Sequence, residues 1–469
     1  YEMRLSLVGS EMCIRDRHPV LKIKGASLSL PGESHALYIS ELSLHVKLLP
    51  SLISGDLQLV SLHSTIQKVI LVRDSTGLWW LNDIPITPQS KVDARLDLPD
   101  FFQRLPAFSD IEIGLVQLRD QREGIDHLIQ NVSLRNSRNN EQLKMQLSAQ
   151  LPASLGSRIE LLLQGDSSSQ QLYVNAESLN LAGISGLLST QLPRFEKAHL
   201  SLQSWLNLER FQLKKIITDA DLSSLVLNQT QDGQRAIGAQ IHSVAEWNST
   251  GWRINSRLQN IQQGLRHYRD IHAQLLVGHA GEKPRLWVDQ LELSLISEIM
   301  GGLFEAEEAS QWLAGIQPQG QLSNIVAELD PAAPKQSLIE FGFKQLSSRT
   351  YRAIPGLSGA DGSLLFGNGR AQLDIDAKQL ALDFDDLFRA PLQLDVLRTT
   401  AFIEMKESSI NVIADDFAIA NPDLKLAGRL WLEVPANGRA FMSLRAQYRD
   451  GDLNAVSRYL PVKIMPEPV

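Results

Sequence analysis

The chain is nearly devoid of cysteine: Cys13 is the one thiol in 469 residues. A disulfide framework and a cysteine-based metal site are therefore excluded, since each needs several thiolates. Scarcity of thiols suits an oxidising compartment, where a stray one mispairs. Aromatic residues reach only 6% against 43% hydrophobic residues, so buried faces must be made chiefly of Leu, Ile, Val and Ala. Positive charge is also short: 45 Lys and Arg against 53 Asp and Glu leave a net charge of -8. The basic residues are scattered, which argues against a surface that tracks nucleic-acid phosphates. No stretch approaches the roughly 20 consecutive apolar residues of a membrane-spanning helix.

What the chain does contain is short segments of alternating apolar and polar residues. Period two sends successive side chains to opposite faces of a strand, making one face greasy and the other wet. The proposed greasy face comprises Leu42, Leu44, Val46 and Leu48; Leu143, Met145 and Leu147; Ile339, Phe341 and Phe343; Leu380, Leu382 and Phe384; and Leu424, Leu426, Leu430 and Leu432. Turn clusters recur about every ten residues, the spacing of an antiparallel meander. The expected fold is mostly β: an elongated, curved antiparallel sheet forming an open apolar groove, with a few short amphipathic helices. Roughly two dozen strands at about 4.8 Å would give a trough on the order of 110 Å. Sheets of that size curl, placing the greasy face inside. A closed sandwich is the alternative for the same pattern.

Residues 1–17 resemble translated adapter sequence fused onto a truncated reading frame and are expected to be unstructured. Four β-modules are expected after them, over 18–95, 96–195, 196–318 and 319–469, the last one truncated. A helical turn is expected at Leu49–Ser54 and a capped helix over 97–105, where Asp97 precedes Pro99, Phe101 and Phe102. A unit of strand, short helix, proline and new strand recurs near 179–202 and 291–321, and begins again at 452. In its second copy Ile296, Ile299, Met300, Leu303 and Phe304 form one apolar helical stripe. They would either cap the groove or pack on the sheet edge.

Catalytic and ligand chemistry is poorly represented. Asp385/Asp386 and Asp415/Asp416 are adjacent residues, which a strand turns to opposite faces, so neither makes an acid/base dyad. His267 and His272 are five apart, unlike the i, i+4 pair of a helical zinc site. Gly356, Gly359, Gly362, Gly367 and Gly369 lack the lysine and helix of a phosphate loop and are expected at tight turns. No metal, no cofactor and no enzymatic activity are expected.

Residues 50–83 carry a Leu-rich turn, a Ser-Gly strand start, paired strands, an Arg73-Asp74 turn, Gly77 and the pair Trp79-Trp80. This pattern resembles the AsmA superfamily. Pro-Gly-Leu-Ser-Gly (355–359), Phe-Arg-Ala-Pro-Leu (388–392) and Arg-Tyr-Leu-Pro (458–461) resemble its YhdP branch. The resemblance covers roughly 18–469 and implies a fragment truncated at both ends, whose full-length form is anchored in the inner membrane by a helix absent here. It implies a periplasmic body that carries phospholipid between inner and outer membranes of Gram-negative bacteria along an apolar sheet, with acyl chains and the two membranes as partners. The rival readings are an envelope-assembly scaffold that uses its sheet edge to assist outer-membrane proteins, and a carbohydrate-binding β-protein.

Overall fold

The computed structural model describes the chain except for residues 1–3, 7–9, 14–18, 30–36, 56–57, 83, 86–105, 123, 140–141, 188–196, 227–235, 279–281, 297–314, 331–332, 334–335, 352–354, 385–387, 389, 407, 436–440, 453–454, 456–458 and 460–469. It divides into two compact units, Tyr1–Trp247 with Gln262–Leu265, and Asn248–Ile261 with Arg266–Val469.

The first unit contains β1 (Arg4–Ser6), β2 (Ser10–Cys13), β3 (Val20–Ser29), β4 (Leu37–Val46), helix α1 (Leu48–Ser54), β5 (Leu59–Arg73), β6 (Trp79–Leu81), β7 (Ile84–Pro85), β8 (Phe108–Asp120), β9 (Ile125–Asn139), β10 (Gln142–Gln150), β11 (Arg158–Gly165), β12 (Ser169–Asn180), helix α2 (Leu181–Leu187), β13 (Lys197–Glu209), β14 (Gln212–Val226) and β15 (Ile237–Asn248). Strands from β3 to β15 pair in open succession, β5 bonding directly to β8. That one pair is parallel, a departure from the expected meander. Parallel neighbours need a long crossover, and residues 74–107 supply it.

The second unit contains β16 (Gly251–Gln263), β17 (Arg266–His267), β18 (Ile271–Gly278), β19 (Arg285–Glu292), β20 (Gln319–Glu328), β21 (Leu338–Ser348), β22 (Gly356–Gly367), β23 (Arg370–Asp383), β24 (Leu392–Met405), β25 (Ser409–Asn421), β26 (Leu424–Pro435) and β27 (Phe441–Arg449). Here β16 pairs with β18, and each strand from β18 to β27 pairs antiparallel with the next.

Several expectations are corrected. Residues 1–17 were expected to be unstructured, yet β1 and β2 both add to β3. An edge strand offers free main-chain donors and acceptors, which recruit a segment that has no core of its own. The module limits at 95, 195 and 318 do not interrupt the ladder, because β5 pairs with β8, β12 with β13 and β19 with β20 across them. Leu48 was assigned to a strand but opens α1. The chain leaves the sheet at Lys47, and Pro50 is tolerated in the first helical turn because its missing N–H has no intrahelical partner there.

The glycine run behaves differently from a set of turns. Gly369 does sit in one, with Asn368 at φ 52° and Gly369 at φ 71°, the left-handed pair of a two-residue hairpin. Gly356, Gly359, Gly362 and Gly367 stand within β22. At Gly362 a Cβ would lie 2.0 Å from the Asp374 carbonyl oxygen, so the close approach of β23 requires glycine. The predicted helix over 97–105 falls outside the described residues.

Candidate functional site

Register turns the alternating segments into continuous rows. In the second unit, cross-strand partners run Ile254, Leu275, Leu286, Ala327, Ile339, Phe366, Ala371, Ile403, Val412, Leu432 and Met442. These eleven residues, one per strand, are all apolar. Ten steps of about 4.8 Å make this row roughly 48 Å long.

The first unit carries two rows that are mostly but not wholly apolar, the first interrupted by Ser109 and Asn136. One runs Leu21, Leu44, Leu62, Ser109, Asn136, Met145, Leu163, Leu172, Leu206, Ile216 and Ala245. Its neighbour runs Ile23, Leu42, Ser64, Ile111, Leu134, Leu147, Leu161, Val174, Ser204, Thr218 and Ser243. The second row is mostly aliphatic as far as Val174 and ends in a hydroxyl seam, where Ser204 and Thr218 share a hydrogen bond of 2.8 Å.

Exposure decides what these rows are. A closed sandwich would seal large inner side chains, yet Leu42, Leu44, Met145, Leu147, Leu161, Leu163, Ile339, Phe366, Ile403, Val412 and Leu432 are all half-buried. They are shielded sideways by their neighbours and open in front, as on a single-layer sheet. The opposite face of each unit carries cross-strand ion pairs such as Arg398–Asp376 at 2.9 Å and Lys215–Glu246 at 2.7 Å, and in the second unit it also exposes Trp287, Val326, Leu365, Phe402, Ile413 and Trp431. Opposite charges directly across a ladder favour the register.

One zone of the apolar face is closed. Leu322, Phe343, Ala360, Ala377, Leu380 and Leu394 form a core cluster, onto which Leu293 and Ile296 pack from a helical turn at 293–296. Phe343 and Leu380, proposed as groove lining, are therefore sealed core residues, 4% and 2% exposed. The face stays continuous there because Gln379, at φ 60°, breaks the alternation and returns Leu380 to the side occupied by Ala377, while the β23–β24 register is unbroken.

Other proposed lining residues lie on the same strands outside these rows. Leu143 faces Gly165, Phe341 faces Leu364, Leu382 faces Leu357, Leu424 faces Asn421, Leu426 faces Ile419 and Leu430 faces Ala414. Val46, opposite Leu59, is buried. Phe384 lies beyond its strand and meets the Phe388 ring edge-on at 5.5 Å. Of the proposed capping stripe, Ile296 packs on the core cluster, whereas Ile299, Met300, Leu303 and Phe304 lie outside the described residues. Sequence reading missed most of each row: Leu161, Leu163, Leu206, Ile216, Leu286 and Ile403 alternate just as well, and the alanines gave no signal until register placed them.

The polar motifs prove structural. Asp74 accepts hydrogen bonds from Thr76 N at 2.8 Å, Thr76 Oγ1 at 2.6 Å, Leu78 N at 3.0 Å and Trp80 Nε1 at 2.9 Å. The Thr76 and Trp80 side-chain bonds chiefly hold its pKa down to about 2. Trp79 lies on Arg73, 5.6 Å from guanidinium carbon to ring centre, so both tryptophans are half-buried. Asp166 organises a similar turn through Ser168 and Ser169, and its pKa is lowered by the Ser168 hydroxyl first. Tyr459 of the Arg-Tyr-Leu-Pro segment donates to Asp423 at 2.9 Å and accepts from Asn421 at 2.7 Å.

His267 and His272 are both exposed, and His272 faces Asp289 at 3.6 Å. Asp415 and Asp416 occupy a register shift between Ala414 and Phe417, where both are exposed. Asp385 and Asp386 are outside the described residues. Among the described residues, no cluster of three metal-ligating side chains occurs, and no helix is long and apolar enough to cross a membrane.

The resemblance seen in residues 50–83 and 355–394 thus rests on turn and hairpin chemistry rather than on a catalytic constellation. No curated protein and no solved structure matches the chain. A family model described as YhdP protein matches residues 12–469. The chain accordingly belongs to the YhdP protein family, the YhdP branch of the AsmA-like proteins.

Proposed function

We propose that this chain is part of a periplasmic lipid conduit, carrying phospholipid acyl chains along its apolar sheet faces between the inner and outer membranes. The observation that supports it is the eleven-residue apolar row of the second unit, half-buried rather than sealed at its large side chains. Transfer of one buried CH2 to water costs about 0.8 kcal/mol, so a naked acyl chain would lose on the order of 10 kcal/mol in crossing an aqueous gap. A continuous greasy row removes most of that barrier with no catalytic group. On this reading the protein is not an enzyme.

The test is a photo-reactive residue at Leu147 or Ile403, followed by mass spectrometry of adducts from cells. Phospholipid adducts at both positions are expected. Folded protein without adducts at either position, and with no phospholipid co-purifying, overturns the reading.

A second reading, an envelope-assembly scaffold, is favoured by β27, which exposes Phe441, Met442, Leu444 and Tyr448 and among the described residues pairs only with β26. Crosslinks from β27 to outer-membrane proteins, with no lipid bound, would select it.

A further inference from the structure

Short helical segments join strands among the described residues, and at least two of them turn their apolar side inward. Residues of α2 are half-buried against β12 and β13, and the turn at 293–296 packs Leu293 and Ile296 on the core cluster. Helix α1 is inverted. Leu48, Leu49, Leu52 and Ile53 are 48%, 73%, 77% and 85% exposed. At 100° per residue these four positions cover one arc of roughly 140°. The polar side faces the sheet: Ser51 Oγ accepts from Gln58 N at 2.9 Å, and Lys47 N donates to the Gln58 carbonyl at 2.9 Å. Gly55, in the left-handed conformation, closes the helix on the Ser51 carbonyl. The aliphatic ridge is thus fixed in place and aimed at solvent.

We infer that α1 is a lipid-surface contact, which inserts Leu49, Leu52 and Ile53 into the interface of a bilayer. A protein pocket would be met by directional or aromatic groups, but this ridge is purely aliphatic and complements liquid hydrocarbon. Its charge fits as well. His45 and Lys47 precede the helix and Asp56 follows it, so the lysine stands beside Leu48 at the start of the ridge, at the level of lipid phosphates. The position is also suitable: α1 joins β4 to β5, and Leu44 and Leu62 of those strands are consecutive members of the first unit's apolar row. Phe108, 46% exposed, pairs with Ser61 on the same rim. A lipid lifted at α1 therefore meets the row a few residues away. The inference rests on the conduit reading, since it names where lipid would enter.

Flotation of the purified chain with phosphatidylcholine vesicles, with and without phosphatidylglycerol, tests it. Wild-type protein should float with both. The triple substitution Leu49→Ser, Leu52→Ser, Ile53→Ser should weaken association by roughly tenfold or more, while the amount of lipid co-purifying with the protein stays unchanged. The aliphatic control Leu52→Met should float like wild type. Wild-type protein that stays with the soluble fraction, or a triple variant that floats equally well, overturns the inference and points to a protein partner for the ridge. Lipid still bound in either case leaves the conduit reading standing. Flotation through α1 by a chain that holds no lipid defeats the conduit reading alone.

Discussion

The indole Nε1 of Trp80 donates to the carboxylate of Asp74 at 2.9 Å, bracing the turn between β5 and β6 from within. Asp74 is thereby held at a pKa of about 2, against an ordinary 3.8, and the side-chain bond from Thr76 is the largest contributor. A depressed carboxylate pKa contributes stability that is fully present above the unfolded value and is lost as pH falls through the folded one. The turn should therefore hold at neutral pH and weaken between pH 3.8 and about 2. The difference in tryptophan fluorescence between wild type and Trp80→Phe, followed through an acid titration, checks this. Asp74→Asn should lower the thermal midpoint at pH 7 and flatten that acid limb.

Stability and lipid binding should separate along the apolar face. Phe343 is sealed in the core cluster, so Phe343→Ala should cost about 3–5 kcal/mol in denaturant unfolding. Leu432 is half-buried in the open row, so Leu432→Asn should cost about 1 kcal/mol or less. The lipid readout should run the other way, with Leu432→Asn reducing co-purified phospholipid. Equal losses of stability from both variants would show that the row is an ordinary sealed core.

Gly362 has no room for a side chain, since a Cβ would meet the Asp374 carbonyl oxygen at 2.0 Å and the Phe343 ring at 2.8 Å. Gly362→Val should destabilise the β22–β23 pair by roughly 2 kcal/mol or more. Thermal unfolding gives the loss, and amide exchange should show it concentrated on these two strands.

The parallel pair is fastened by charge. Arg73 and Asp120 are register partners at the far end of β5 and β8, 3.4 Å apart, with the Asp120 side chain 2% exposed. Asp120→Ala would remove the buried carboxylate shared by Arg73 and Arg122 and should cost about 3 kcal/mol. Arg398–Asp376 is a well-exposed pair on the outer face of the second unit, so Arg398→Ala should cost about 0.5 kcal/mol and less at high salt. Comparison of the two unfolding curves separates a structural ion pair from a solvated one.

Much of the fold was legible because period two is a local property. Leu143–Met145–Leu147 and Leu424–Leu426–Leu430–Leu432 each share a face whatever lies beside them. The helical turn at 49–54 was legible from its leucines, and the Asp74 turn from its Thr76 and Gly77. The parallel β5–β8 pair was not legible, because a crossover of more than thirty residues leaves no mark in either strand. Nor was the inversion of α1, since the same leucines would serve to pack inward.

The sequence alone therefore determined that one face of nearly every strand is apolar and to which family the pattern belongs. Tertiary structure decided which residues share a row, that Phe343 is sealed while Leu432 stays open, and that Leu49, Leu52 and Ile53 point away from the sheet. Alternation is set residue by residue by backbone geometry. Register, bulges and the direction in which a helix leans depend on neighbours far along the chain, so they exist only once the strands have paired.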